Sequence, residues 1–117
     1  MGNKRAEGGI IECVKDAQSL DEIGKEGHPT LYHYFRRKFG RTDGPAFEEA
    51  RRRFSGSLAG YAVSTFLMWV KDRHNGNIMV DSRGKLIHID FGFLLGISPG
   101  GNLGFESAPF KMTSDMV

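Results

Sequence analysis

The sequence predicts an α+β fold in which three helices are followed by a β-hairpin. Apolar residues recur at helical spacing from Pro45 towards Val70. Two short apolar runs, 78–81 and 85–90, flank the turn residues 81–84, which is the pattern of a hairpin. With 39% hydrophobic and 26% charged residues, the composition is that of a globular segment and not of a disordered one.

The elements before the long helix are short. Residues 1–8 form a polar lead, and the apolar run 10–14 predicts a strand. Ser19 is a suitable N-cap for a helix, because its side chain can accept a hydrogen bond from the first turn. Gly24 and Gly27 then limit this helix to a few residues.

Two longer helices are predicted next. The first covers residues 30–39, and Gly40 ends it. The second begins at Pro45, a residue favoured in the first helical turn. Because its second half, 58–70, is apolar on nearly all sides, we expect it to lie inside a larger body. The G-x-x-x-G at 56–60 predicts close packing in that core.

Loops dominate the C-terminal part. A polar loop at 71–76 precedes the hairpin, and a glycine- and proline-rich stretch at 91–110 follows it. A structureless stretch of that length is usually functional or disordered. Residues 113–115 predict the beginning of another helix.

Charge and cysteine content exclude some classes of function. The net charge of +2 predicts no nucleic-acid partner. Between Arg36 and Arg53 there are seven basic and three acidic residues. These form either a solvated helix face or a surface attracted to anionic lipid. The single Cys13 cannot form an internal disulfide, which indicates a reducing compartment.

The apolar run 58–70 is shorter than the roughly 20 residues that span a bilayer, so it predicts a core helix and not a membrane anchor.

Polar residues with the chemistry of phosphoryl transfer flank the predicted hairpin. Asn77 precedes its first strand and Asp90 ends its second, so folding brings them towards one point. Their amide and carboxylate oxygens suit Mg²⁺ held together with nucleotide phosphates. Asp72 and His74 could position or deprotonate an attacking hydroxyl, and Arg73 could pair with acidic groups in the loop. This layout is that of a phosphoryl-transfer site.

The order Asp-Arg-His at 72–74 resembles the phosphatidylinositol 3-/4-kinase superfamily, and further motifs resemble its type III phosphatidylinositol 4-kinases, with a leaning to the alpha subtype. These motifs occupy 71–79, 88–93, 98–106 and 110–113. The resemblance implies the C-lobe portion of a protein-kinase-like bilobal fold, with the hairpin carrying the catalytic loop 71–77 and the activation loop 90–112. Residues 9–117 would be a partial catalytic domain, without the N-lobe and the C-terminal helices.

The resemblance also implies residue roles. His74 would be the base towards the inositol hydroxyl, with Asp72 supporting it and Arg73 beside them in the catalytic loop. Asn77 and Asp90 would hold Mg²⁺.

Substrate binding follows from the same resemblance. Met79 and Ile89 would form the floor of the adenine pocket, with Asp90 next to the ATP phosphates. The activation loop would admit the lipid headgroup. It has no Lys or Arg between 91 and 110, and Lys111 stands alone at its end. Because a phosphorylated headgroup calls for several cations, this loop suits unmodified phosphatidylinositol.

The expected function is ATP-dependent phosphorylation of phosphatidylinositol at the 4-position, by a longer cytoplasmic enzyme bound peripherally to the cytosolic face of a membrane. Regulatory subunits would bind regions outside this segment. Two alternatives stay open at this stage: a related protein kinase of the superfamily, and a non-catalytic fragment with a binding or regulatory role. The isolated chain is expected to be poorly stable and inactive.

Overall fold

A computed structural model of the chain describes residues 8–97 and 111–117. It contains three α-helices and a three-stranded antiparallel sheet, which confirms the α+β class. The sheet order is β1-β2-β3, so β2 is central. The elements are β1 Ala17–Ser19, α1 Leu20–Lys25, α2 Leu31–Phe39, α3 Pro45–Leu67, β2 Ile78–Asp81 and β3 Leu86–His88, with 3₁₀ turns at Asn75–Asn77 and Ser114–Met116.

The strand predicted at 10–14 is wrong. These residues are irregular, and Ile10 and Ile11 are fully exposed. A strand needs a hydrogen-bonded neighbour, and both edges of β2 are already occupied by β1 and β3. The first strand instead covers Ala17–Ser19, where Ser19 lies opposite Met79.

The two short helices have the predicted ends. Ser19 and Glu22 form a capping box at α1: Ser19 N–H donates to Glu22 Oε2 at 2.7 Å, and Glu22 N–H donates to Ser19 Oγ at 3.1 Å. The bond from the Ser19 backbone also lowers the pKa of the Glu22 carboxyl. At α2, Thr30 is the N-cap and Gly40, with φ 87°, follows the last residue.

The long helix α3 packs on the core with its first half. Pro45 begins it, and Phe47, Ala50 and Phe54 are buried. In the second half, Val63 and Phe66 are more than half exposed. The predicted close packing at 56–60 is wrong for the described part of the chain. Nothing lies within 4 Å of a Cβ built on either glycine, because no described element crosses that face.

The hairpin is fixed to α3 at its turn. Asp81 Oδ1 accepts hydrogen bonds from the Arg83 and Lys85 N–H groups at 2.9 and 2.8 Å. Gly84 follows with φ 90° and lies against Ala50; a Cβ there would be 3.0 Å from the Ala50 Cβ. The hairpin therefore contacts the helix through backbone where a side chain would not fit.

The core lies between the hairpin and the helices. Ile78, Val80 and Leu86 are fully buried and belong to one cluster with the apolar faces of α2 and α3. The Leu86 N–H donates to Ser57 Oγ at 2.8 Å, which ties β3 to α3. The loops before β2 and after β3 therefore leave the sheet at neighbouring positions.

Candidate active site

The segments that flank the hairpin run side by side. Lys71 N–H donates to the Phe93 carbonyl at 2.8 Å, and Leu95 N–H donates to the Met68 carbonyl at 2.9 Å. The end of α3 is thus bonded to the beginning of the predicted activation loop. These two bonds bring the predicted catalytic loop and the Asp-Phe-Gly sequence at 90–92, which begins the predicted activation loop, together through main-chain atoms.

Asp72 and Asp90 both have left-handed backbone conformations. Their φ angles are 61° and 57°. Among non-glycine residues, Asp and Asn adopt this region most readily. Each conformation turns the chain sharply at a predicted site residue.

Arg73 connects the two site segments and is buried, with 2% of its surface exposed. Its Nε donates to the Lys71 carbonyl at 2.9 Å, one terminal nitrogen donates to the Ile89 carbonyl at 2.8 Å, and the other donates to the Asp90 carbonyl. The planar guanidinium can serve carbonyls in several directions at once. The sequence predicted acidic partners for Arg73. The carbonyl contacts were not predicted, because every residue has a backbone carbonyl and the sequence does not show which of them lies near Arg73.

Asn77 is buried and held on three sides. Its side-chain Nδ2 donates to the Asp72 carbonyl at 2.9 Å. Its backbone N–H donates to the His74 carbonyl at 2.9 Å, and its own carbonyl accepts from Ile89 N–H at 3.0 Å. Because the amide nitrogen is engaged, the amide oxygen is the atom that a metal ion would bind.

Asp90 supplies an exposed carboxylate one residue after Ile89, whose N–H is bonded to the Asn77 carbonyl. This hydrogen bond holds Ile89, the residue that precedes Asp90. On the other side of Asp90, the Gly92 N–H lies 3.4 Å from Asp90 Oδ1. One amide and one carboxylate oxygen fit Mg²⁺, which takes few protein ligands when phosphates supply the others. Among residues 8–97 and 111–117 no group of three or more His, Cys, Asp or Glu side chains could hold a metal. The Asn77 amide and the Asp90 carboxylate are two oxygen donors, a number that suits a metal whose other ligands come from nucleotide phosphates.

His74 and Asp72 form an adjacent pair. His74 Nδ1 accepts a hydrogen bond from Gly76 N–H at 3.1 Å, and its Nε2 lies 3.9 Å from Asp72 Oδ2. With Nδ1 as acceptor, the neutral ring carries its proton on Nε2. His74 is exposed and Asp72 is partly buried, so both can be reached from solvent.

The predicted adenine-floor residues lie on the opposite face of the hairpin from α3. Burial alternates along β2 and β3. Met79 is half-buried between the fully buried Ile78 and Val80, and Ile89 is half-buried after the buried His88. Ile87 lies directly across from Met79 on the same face. Ile87 was not among the residues predicted from the sequence, although the period-2 alternation of a strand places it there.

His88 lies behind the site on the α3 side. It is buried, and its ring stacks on Tyr61 with 4.5 Å between the centroids. Its Nδ1 has no hydrogen-bond partner among the described residues. Burial, and secondarily the charge of Arg73, lowers the pKa of His88 to about 4. The ring is therefore neutral at physiological pH and behaves as part of the core.

The two ends of the predicted activation loop lie beside the catalytic loop. Its beginning is bonded to the end of α3 as described above, and Lys111 Nζ donates to Asn75 Oδ1 at 3.0 Å. The prediction for 98–110 lies outside the described residues. The Lys111 contact was not predicted, because it joins positions 36 apart.

The basic stretch from Arg36 to Arg53 is partly neutralised within the structure. Four of its arginines form ion pairs at the surface: Arg41 with Asp43, Arg51 with Glu48, and Arg52 and the half-buried Arg53 with Glu49. This pattern suits a solvated helix face. Over the described ranges, no helix combines the length and apolar character needed to cross a bilayer.

Comparison with known proteins identifies the family. The family model described as phosphatidylinositol 3- and 4-kinase matches residues 3–117. Phosphatidylinositol 4-kinase stt4 of Schizosaccharomyces pombe is 51% identical over 109 residues, which cover 93% of this chain and 6% of that protein. The human putative phosphatidylinositol 4-kinase alpha-like protein P2 is 49% identical over 109 residues, covering 93% of this chain and 18% of that protein.

A beta-type relative is almost as similar. Phosphatidylinositol 4-kinase beta of Danio rerio is 47% identical over 112 residues, covering 96% of this chain and 13% of that protein. The leaning to the alpha subtype therefore stays a prediction. The chain spans a small part of each of these relatives, but the family match covers nearly all of it. This chain belongs to the phosphatidylinositol 3- and 4-kinase family.

Proposed function

We propose that the protein carrying this chain transfers the γ-phosphate of ATP to the 4-hydroxyl of phosphatidylinositol. The observation that carries the proposal is the assembly around Arg73, which bonds to the carbonyls of both Ile89 and Asp90 and to the catalytic loop. Arg73 thereby ties the chain at Asp90 to the catalytic loop, and the Ile89 N–H, one residue before Asp90, is bonded to the Asn77 carbonyl. The names of relatives that are about half identical support phosphatidylinositol as the substrate and its 4-position as the acceptor.

Asn77 and Asp90 are the residues that would hold Mg²⁺. When bound, the metal would supply charge neutralisation to the phosphate oxygens. Met79, Ile87 and Ile89 offer an apolar face against which the adenine can lie. The catalytic segment, the metal ligands and the nucleotide floor thus belong to one hairpin and its two flanking loops.

The proton of the inositol hydroxyl passes to the Asp72–His74 pair as the hydroxyl oxygen attacks the γ-phosphorus. The bond to the bridging oxygen breaks, and ADP leaves with that electron pair. Because Gly76 N–H occupies His74 Nδ1, the ring accepts a proton only after this bond opens. A carboxylate has two oxygens with several acceptor positions, so Asp72 can take the proton on one of them while another is engaged. We therefore assign the base to Asp72 and the supporting role to His74, which reverses the order expected from sequence.

A lipid substrate requires that the enzyme act at a membrane surface. We propose peripheral association with the cytosolic face, with the site open towards the headgroup layer. Regulatory subunits, if they bind, would contact parts of the protein outside this segment.

The test measures phosphate transfer by the purified protein that contains this segment. The substrates are phosphatidylinositol vesicles, ATP and Mg²⁺, and chromatography of the deacylated product identifies the phosphorylated position. Asp90→Asn should reduce kcat at least about a thousandfold, because it removes the charged metal ligand. Asp72→Asn should reduce kcat more than His74→Gln if Asp72 is the base.

Asp43→Asn is the matched control, since this carboxylate belongs to an exposed ion pair with Arg41. It should leave kcat within about twofold of wild type, as exposed pairs contribute little. A product phosphorylated at the 3-position, or transfer to a peptide and not to the lipid, would refute the assigned function. Full activity of the Asp90→Asn variant would refute the assigned metal site.

A further inference from the structure

We propose that Lys111 binds the phosphodiester of the phosphatidylinositol headgroup and that Asn75 holds it in place. The inference rests on the proposed function and adds a substrate-binding residue to that site. Three observations carry it: the position of Lys111 at the catalytic loop, the charge of its ammonium group, and its isolation in the sequence.

The position is fixed from two sides. Lys111 Nζ donates to Asn75 Oδ1 at 3.0 Å, and Asn75 begins the 3₁₀ turn directly after His74. Further along the chain, Met116 packs against the hydrophobic core. The segment that begins at Lys111 is therefore anchored to the body of the protein. Its ammonium group lies at the outer edge of the catalytic loop, where the lipid headgroup must approach.

The contact with Asn75 leaves the lysine able to bind an anion. An ammonium group has three N–H donors, and the Asn75 oxygen is a neutral acceptor that takes one of them. Over residues 8–97 and 111–117, none of the ion pairs involves Lys111. A half-buried lysine that has no carboxylate partner among the described residues, at the edge of a site, suits a phosphate oxygen.

The number of cations matches the number of charges on the substrate. Residues 86–110 and 112–117 contain no Lys or Arg, so Lys111 is the single cation in the last 32 residues. Unmodified phosphatidylinositol carries one phosphodiester. One lysine can form an ion pair with this group, whereas additional phosphates on the ring would have no cationic partner on this segment. Lys111 would thus contribute both affinity for phosphatidylinositol and preference for its unphosphorylated headgroup.

The experiment uses the whole protein that contains this segment, with phosphatidylinositol vesicles as the probe. Lys111→Met keeps the length of the side chain and removes its charge. It should raise the KM for phosphatidylinositol about tenfold while kcat and the KM for ATP stay within about twofold. Lys111→Arg should restore most of the affinity. Asn75→Ala should raise the same KM about threefold, and the double variant should match Lys111→Met, because Asn75 acts through Lys111.

Lys85→Met is the matched control, since Lys85 is an exposed lysine at the turn end of the hairpin. It should leave the KM for phosphatidylinositol unchanged. A fall in kcat at unchanged KM in Lys111→Met would show a role in positioning the catalytic loop and would overturn the proposal. An unaltered KM would do the same. If the wild-type protein phosphorylates no phosphatidylinositol at all, the proposed function fails first, so the two failures are distinguishable.

Discussion

His88 is a titratable residue built into the wall behind the candidate site. It stacks on Tyr61, and the positive charge of Arg73 repels a proton on its ring. Both burial and that charge oppose protonation of the ring, which is why its folded-state pKa is about 4, against an ordinary value of 6.5. In the unfolded chain His88 has a pKa near the ordinary value of 6.5. At a pH between about 4 and 6.5 the unfolded state therefore binds more protons than the folded state.

This difference predicts a pH dependence of stability. The stabilisation from neutral His88 is complete above the ordinary pKa of 6.5 and is lost as the pH falls towards about 4. Melting temperatures measured from pH 7.5 down to pH 4.5 should fall more steeply for wild type than for His88→Phe, which keeps an aromatic ring on Tyr61. His88→Gln provides a second non-titrating variant if phenylalanine packs poorly. Equal slopes in all three proteins would contradict the prediction.

At the level of single residues, the hairpin between Asn77 and Asp90 predicted that the loops carrying them meet, because strand pairing fixes which loops lie side by side. The Ile89 N–H bonds to the Asn77 carbonyl, so the two backbones are adjacent, and the metal site itself stays a prediction. The carbonyl partners of Arg73 and the contact between Lys111 and Asn75 could not be predicted. Both depend on tertiary geometry that no local pattern encodes. The catalytic roles of these residues stay predictions.

Among the secondary-structure elements, the hairpin matters most for the site, and its turn depends on Gly84. The left-handed conformation at Gly84 and its contact with Ala50 both disfavour a side chain. The turn lies at the far end of the hairpin from the site, so it controls the site only by holding β2 and β3 against α3. A defect at this turn should loosen both strands together.

Gly84→Ala is therefore expected to destabilise the hairpin by about 2 kcal/mol, from the left-handed φ and the crowding against Ala50. Hydrogen exchange of the β2 and β3 amides should become roughly thirtyfold faster. Gly60→Ala is the matched control, because a Cβ at Gly60 meets nothing within 4 Å. Its hairpin amides should exchange as in wild type. Unchanged exchange in Gly84→Ala would contradict this account of the turn.

The helices and the hairpin were predictable because their signals are local. Ser19, Thr30 and Pro45 each begin a helix in the structure as the sequence predicted. The strand at 10–14 failed for the opposite reason. Its apolar residues resemble a strand, but strand formation depends on a distant neighbour, and the pairing position went to Ala17–Ser19.

For the molecule as a whole, the end of α3 exposes an apolar surface. Val63, Phe66 and Leu67 are 60%, 57% and 71% exposed, and nothing among the described residues covers them. Clustered apolar exposure of this kind marks an interface or a tendency to aggregate. This surface supports the sequence-based expectation that the 117-residue chain is poorly stable when isolated.

We expect the isolated chain to self-associate and to transfer no phosphate. Light scattering of the purified 117-residue chain should report particles larger than a monomer. An assay with ATP, Mg²⁺ and phosphatidylinositol vesicles should give no product above that of the Asp90→Asn chain. A monodisperse monomer with lipid kinase activity that Asp90→Asn abolishes would show that these residues suffice.

The bonds from Arg73 run to main-chain carbonyls, and this has a genetic consequence. The carbonyl groups of Lys71, Ile89 and Asp90 are present whatever side chains those positions carry. A missense change that removes the Asp90 carboxylate can therefore abolish chemistry while the scaffold persists. Such an allele would encode a protein of near-normal abundance without activity, whereas an allele that changes Arg73 would lower the amount of folded protein.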